Sequence, residues 1–212
     1  MKFYQEITLI SEPDISLGFI WQKLYQQLHI ALVENKVEQK HSAIGVGFPR
    51  YGSKEFPLGN KLRLFAKNKA ELEQLSIENY LSRLTDYLHI KSVQEVPIDA
   101  VPVCFVRESV KGEARIEKDM QAKAQLWSEK SGKPLQECLT ELEKTKPKST
   151  SDLPFIWLES QETKRRSPDA RGRFPLFIRR IELDVTKEAH FNCYGLALSN
   201  TDKTELAGTP HF

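Results

Sequence analysis

Ile44-Gly45-Val46-Gly47-Phe48-Pro49 and, after a loop, Lys61-Leu62-Arg63-Leu64-Phe65-Ala66 are two alternating segments with no helical pattern between them. Alternation with period two marks strands, and Pro49 ends the first. Gly45 and Gly47 share the face opposite Ile44, Val46 and Phe48. Missing side chains there either let something approach the backbone closely or mark a bulge. On the second strand Leu62, Leu64 and Ala66 take one face and Lys61, Arg63 and Phe65 the other. Residues 50–60 read as the loop between the two strands.

Working outward, each side of this strand pair carries a helix and then a strand. Upstream, Leu17, Ile20, Trp21, Leu24, Leu28, Ala31 and Leu32 recur at helical spacing. That helix is expected to end near Asn35, with Lys36 to His41 as loop. Ser11-Glu12-Pro13-Asp14 is turn chemistry with a helix cap, and Phe3 to Ile10 reads as a strand. Downstream, Lys69 to Leu88 reads as a second helical region, broken near Ser76-Ile77, before a short strand from Ser92 to Val96. The order is βαββαβ, the ferredoxin-like pattern that RNA-recognition modules also use. Many functions share that fold, so it does not settle activity.

The character changes after Pro102. Val103 to Val106 reads as a strand, Glu113 to Lys130 and Pro134 to Lys144 as helices, and Lys146 to Asp152 as a linker. Phe155 to Leu158, Pro175 to Leu183 and Phe191 to Leu198 read as strands. The expected class is α+β, with a ferredoxin-like domain over 1–98 and a second α+β half over 99–212.

The 212 residues are 40% hydrophobic and 28% charged, ordinary for a globular protein. No run approaches the ~20 apolar residues of a membrane span, and the N-terminal residues lack a secretory pattern. Cys104, Cys138 and Cys193 are far apart and lack C-x-x-C spacing, so reduced thiols in the cytoplasm are expected rather than disulfides or zinc. Net charge is only +2. Its distribution is more informative: residues 161–180 hold seven positive side chains against two negative ones. Such a cluster is either a phosphate footprint or a solvated loop.

His29 lies in the first helix, beside an otherwise apolar face. Histidine titrates near neutral pH, which suits proton transfer. Most helical histidines are structural or solvated, so this residue alone decides nothing. Tyr25, one turn earlier, shares its face and either helps position the imidazole or only packs.

Six segments in order carry a family resemblance. They are Leu28-His29 with Ala31-Leu32-Val33; Ile44 to Pro49; Leu58-Gly59 with Leu62-Arg63; Leu153-Pro154-Phe155 with Ser160-Gln161; Phe174 to Arg179; and Cys193-Tyr194-Gly195-Leu196. The sequence resembles the type I-F CRISPR repeat-processing endoribonucleases along nearly its whole length. The resemblance implies binding of a repeat stem-loop and one metal-free, cofactor-free cut at the 3′ base of the stem. The products are a 5′-hydroxyl and a 2′,3′-cyclic phosphate. It further implies retention of the enzyme on the mature crRNA within the surveillance complex. The alternative is a non-catalytic subunit that binds the crRNA hairpin.

Carried over by resemblance, His29 is the general base towards a 2′-hydroxyl, Ser160 holds that ribose and Tyr194 orients the histidine. Arg107 reads a guanine near the stem base, and Phe174 stacks on the terminal base pair. Each has a plain competing role: a helical His with one hydrogen bond, a strand-end Ser, a core Tyr in an apolar strand, a core Phe.

Three places depart from the family pattern. The helix expected to enter the RNA groove is rich in arginine in the family, but residues 111–130 balance five positive against four negative side chains. Lys111, Arg115, Lys118 and Lys123 still form a candidate stripe on one face. The basic loop, with Lys164, Arg165, Arg166, Arg171 and Arg173, is the candidate to compensate by gripping phosphates. Ser109 stands where the family has a glutamine and is too short for a bidentate grip on adenine. Glu162 replaces a second serine, and close to His29 it would raise the imidazole pKa.

Overall fold

The structure, a computed structural model, describes residues 1–160, 172–184, 190–198 and 206–212. The fold is mixed α+β, as expected. By its contacts the chain divides into two compact units, one of residues 1–108 with 154–212 and one of residues 109–153. This division differs from the boundary at residue 98 read from the sequence, because the late strands pair with the strand that ends at Glu108.

The first unit begins with β1 (Phe3–Leu9) and α1 (Leu17–Glu34). The short β2 (His41–Ser42) follows, then β3 (Gly45–Gly47) and β4 (Lys61–Ala66). Next come α2 (Lys69–Leu75), α3 (Ile77–Tyr80), a 3₁₀ segment (Ser82–Tyr87), β5 (Leu88–Ile90) and β6 (Gln94–Glu95). The sheet order is β3-β4-β1-β5, with β6 also pairing β1, and every pairing is antiparallel. This is the ferredoxin-like arrangement read from the strand pair, with its fourth strand split in two.

A second sheet has the order β11-β7-β9-β8. It comprises β7 (Val101–Glu108), β8 (Phe155–Glu159), β9 (Arg173–Glu182) and β11 (Thr209–His211). The two-residue β10 (Phe191–Asn192) pairs β2. Ile156 and Leu158 of β8 and Leu176 and Ile178 of β9 are buried in the same core cluster as α1. Burying a large apolar side chain contributes roughly 1.5–3 kcal/mol, and α1 buries seven residues, Ile20, Trp21, Leu24, Tyr25, Leu28, Ala31 and Leu32. Ser16 caps the helix, its hydroxyl accepting from the Phe19 N–H. The cap thus lies two residues beyond the turn expected to supply it.

On the other face of β4, Glu6 is buried between Lys61, Arg63 and Lys91. Burial alone raises its pKa, but hydrogen bonds from the three cations outweigh that and hold it at about 2.

The expected helix over 69–88 divides at Ser76, which adopts the left-handed conformation at φ 45°. It also ends early, because Leu88 is buried opposite Leu9 as the start of β5. Residues 191–198 were expected as one strand. Strand pairing stops at Asn192, and 193–195 form a turn. Gly195 has φ 72°, and a Cβ there would lie 2.9 Å from Val46 Cγ1. Only glycine meets both demands at low cost. The open face of β3 is used in the same way: the Phe191 ring lies where a Gly45 side chain would stand.

The second unit holds α4 (Glu113–Ser131) and α5 (Leu135–Glu143), which pack on each other. Ile116, Met120 and Ala124 form the buried stripe of α4, and Gly132 ends it in the left-handed conformation. Among the described residues, no helix is long and apolar enough to cross a membrane.

Candidate active site

One face of α1 organises the site. Gln22, Tyr25, Gln26 and His29 are spaced at i, i+3, i+4 and i+7, so their side chains leave the helix on neighbouring faces. Two of them hold the turn after β10. The Tyr25 hydroxyl donates to the Tyr194 carbonyl at 2.9 Å, and His29 Nδ1 lies 2.8 Å from the Cys193 carbonyl oxygen. The other two hold the open end of the β8–β9 hairpin. Gln26 Oε1 accepts from the Glu159 N–H at 2.9 Å, and Gln22 Oε1 accepts from Arg173 Nη2 at 2.9 Å.

The His29–Cys193 contact settles a tautomer. A carbonyl oxygen has no proton to give, so Nδ1 must be the donor. In the neutral imidazole the lone pair is therefore on Nε2. Burial lowers the His29 pKa, the Cys193 hydrogen bond opposes that, and the nearby Arg107 charge lowers it further. The net direction is down, which favours the neutral, proton-accepting form at neutral pH.

The Tyr194 ring stacks on the imidazole, centroids 4.2 Å apart and planes 9° from parallel. Its position is set by its own backbone. Asn192 Oδ1 accepts from the N–H groups of Tyr194 and Leu196, the Asn192 carbonyl accepts from Gly195 N–H, and the Gly195 carbonyl accepts from Val46 N–H. Burial, the larger cause, raises the Tyr194 pKa despite Arg107 nearby, so the phenol is neutral. Cys193 is likewise no thiolate, since burial pushes its thiol up.

Arg107, at the end of β7, has its guanidinium carbon 5.6 Å from the Tyr194 ring centroid and 5.5 Å from that of Phe174. Phe174 is half-buried on β9 opposite Leu158. Ser160 follows β8 directly, its N–H bonded to the Gly172 carbonyl at 2.6 Å. The sequence-derived residues His29, Tyr194, Arg107 and Phe174 thus meet through direct contacts, and the residue before Ser160, Glu159, is bonded to Gln26 of α1.

The binding candidates divide. Arg173 is exposed but engaged, donating to Gln22 and lying 4.8 Å from the Trp157 ring centroid. Lys164, Arg165, Arg166, Arg171 and Glu162 lie outside the described residues. Ser109 is exposed at the start of the second unit. In that unit Lys111, Arg115, Lys118 and Lys123 are all exposed, and Lys111 donates to Asp119 at 2.6 Å. That hydrogen bond comes first in holding Asp119 below its usual range, with the charges of Arg115 and Lys123 adding to it. The basic stripe therefore surrounds an acid.

Sequence reasoning passed over Gln22, Gln26 and Asn192. The signal for the first two was their spacing from His29. For Asn192 it was a short polar side chain three residues before a glycine.

Comparison with known proteins bears on the whole chain. No curated protein matches the sequence. Residues 4–212 match the family described as CRISPR-associated protein (Cas_Csy4). With its fold and nearly its whole length accounted for, the chain belongs to that family, the type I-F CRISPR repeat-processing endoribonucleases.

Proposed function

We propose that this protein cuts CRISPR repeat RNA once, at the 3′ base of the repeat stem, with the 2′-hydroxyl of the preceding nucleotide as nucleophile. RNA carries this nucleophile itself, so the route requires no metal or cofactor. His29 Nε2 takes the 2′-hydroxyl proton, and the oxygen attacks the adjacent phosphorus. The bond to the 5′-oxygen breaks, and that oxygen leaves as a 5′-hydroxyl once protonated. The other product ends in a 2′,3′-cyclic phosphate. The observation that carries the reading is the His29–Cys193 hydrogen bond, which leaves Nε2 as the free base on a ring fixed by Tyr194.

Ser160 holds the reacting ribose. Arg107 reads a base near the foot of the stem, and Phe174 stacks on its last pair. Alignment for in-line attack removes entropy from the barrier, and a positioned base supplies about 10²–10⁴-fold more. Lys111, Arg115, Lys118 and Lys123 hold phosphates of the stem, together with Lys164, Arg165, Arg166, Arg171 and Arg173. The enzyme then keeps its hairpin product and joins the other subunits of the surveillance complex in the cytoplasm.

The test is incubation with repeat RNA in excess EDTA. Cleavage that survives chelation and disappears in His29→Ala is the expected result. Tight hairpin binding without a cut would instead identify a non-catalytic crRNA-binding subunit. For the basic loop, neutralising its five cations should weaken binding and flatten its salt dependence; an unchanged salt slope would remove the loop from the interface.

A further inference from the structure

Ser160 directly follows β8, which packs against α1. The backbone at and before Ser160 is anchored in two directions. Successive N–H groups of a strand point to opposite edges. The Ser160 N–H points to Gly172, at the entry to β9. The Glu159 N–H points the other way, off the edge of the sheet, since β8 is its last strand. An edge N–H has no strand to receive it. Here Gln26 receives it, through Oε1 at 2.9 Å, from the helix that carries His29 one turn later.

The rest of the Gln26 amide makes a second point. Its Nε2 is buried and has no hydrogen-bond partner. An idle buried donor is unfavourable, and a hydrocarbon chain of similar length would fill the space without one. The amide makes one side-chain bond, and that bond reaches the residue next to Ser160. Gln22, one turn before Gln26, ties the opposite strand through Arg173, so both strands at the mouth of the hairpin are anchored to one helix face.

We infer that Gln26 is a positioning residue for cleavage, setting Ser160, and so the ribose it holds, at the working distance from His29. This rests on the proposed roles of Ser160 and His29. Gln26 touches neither base nor phosphate in this scheme and acts through the Glu159–Ser160 backbone. Its loss therefore slows the chemical step without loosening the hairpin.

The test uses the full chain and single-turnover cleavage of repeat RNA, with affinity measured on a repeat carrying a 2′-deoxy nucleotide at the cut. Gln26→Met should lower the cleavage rate about 10–100-fold, the size of effect caused by an ångström of misplacement. Affinity for the uncleavable repeat should stay within about threefold. Because Gln26 acts through Ser160, the double variant Gln26→Met/Ser160→Ala should cleave within about twofold of Ser160→Ala alone. If the two losses multiply, or if Gln26→Met weakens affinity as much as rate, the proposal is overturned. Should Gln26→Met fail to fold, Gln26→Asn serves: it keeps the amide but is one carbon short of the Glu159 N–H, and full activity in it is equally fatal. Ser160→Ala cleaving at the unaltered rate would instead sink the role given to Ser160, and this inference with it. A slowed Ser160→Ala beside an unaffected Gln26→Met would sink the inference alone.

Discussion

α1 and α4 are nearly the same length, 18 and 19 residues, and are put to opposite uses. α1 buries seven residues and sends four polar side chains to segments far along the chain, Tyr25 reaching Tyr194 across 169 positions. α4 buries three residues, and its basic residues lie exposed around Asp119. The difference follows from what each proposed task requires. Proton transfer needs atoms held to fractions of an ångström, which takes a helix locked into a core. Neutralising phosphates needs charge at roughly the right place, which a solvated helix supplies. Substitutions on α1 and its partners should therefore act on rate, and those on α4 on affinity.

The largest expected effect is that of His29→Ala. Its single-turnover rate should fall by about 10²–10⁴-fold, with hairpin affinity nearly unchanged. A comparable loss of affinity would break the division of labour between the two helices.

Next is the turn that receives Tyr25 and His29. Gly195→Ala forces a side chain into a backbone with φ 72° and against Val46. It should cost about 1–3 kcal/mol of stability and slow cleavage, because the Cys193 carbonyl and the Tyr194 ring move with the turn. Thermal melting and cleavage should fall together here, unlike in His29→Ala. An unaltered rate in a folded Gly195→Ala would mean the turn does not position the base.

A smaller effect concerns pH. In the proposed mechanism the active form of His29 is the neutral one, so the rate should rise with pH through the histidine pKa and then level off. Burial and Arg107 lower that pKa, so the midpoint should fall below the ordinary histidine value of 6.5. Sign and stability agree. A histidine whose folded pKa is depressed contributes stability that is complete above its unfolded pKa and is lost as pH falls through the folded one. A midpoint above 6.5 in the free enzyme would show that another group, Glu162 being the candidate, outweighs burial.

The ferredoxin-like half was legible because its signals are local. Alternation in 44–48 and 61–66, helical spacing in 17–32 and the break at Ser76 all lie within a few residues. The pairing of His29 with Tyr194 was legible only through the resemblance, since nothing local ties residue 29 to residue 194. The turn at 193–195 was read as strand because its apolar residues pack as strand residues would. Its cause is Gly195 against Val46, a contact that no window of neighbouring residues contains. Gln22 and Gln26 were invisible for a related reason. An exposed-looking glutamine on a helix is ordinary until an edge strand is known to run past it.

The smallest effect tests α4. Asp119 accepts a hydrogen bond from Lys111 and lies among the charges of Arg115 and Lys123, so part of the stripe's positive charge is spent within the protein. Asp119→Asn removes one negative charge from an exposed surface and frees Lys111. If α4 faces RNA phosphates, hairpin affinity should rise a few-fold at low salt. The slope of log affinity against log salt should steepen by up to about one. The cleavage rate of bound RNA should not change, since no side chain of α1 is involved. If affinity and slope both stay put, the charge on α4 faces only solvent. RNA binding would then rest on the first unit, and the contrast between the two helices would be one of anchored against idle rather than of chemistry against binding.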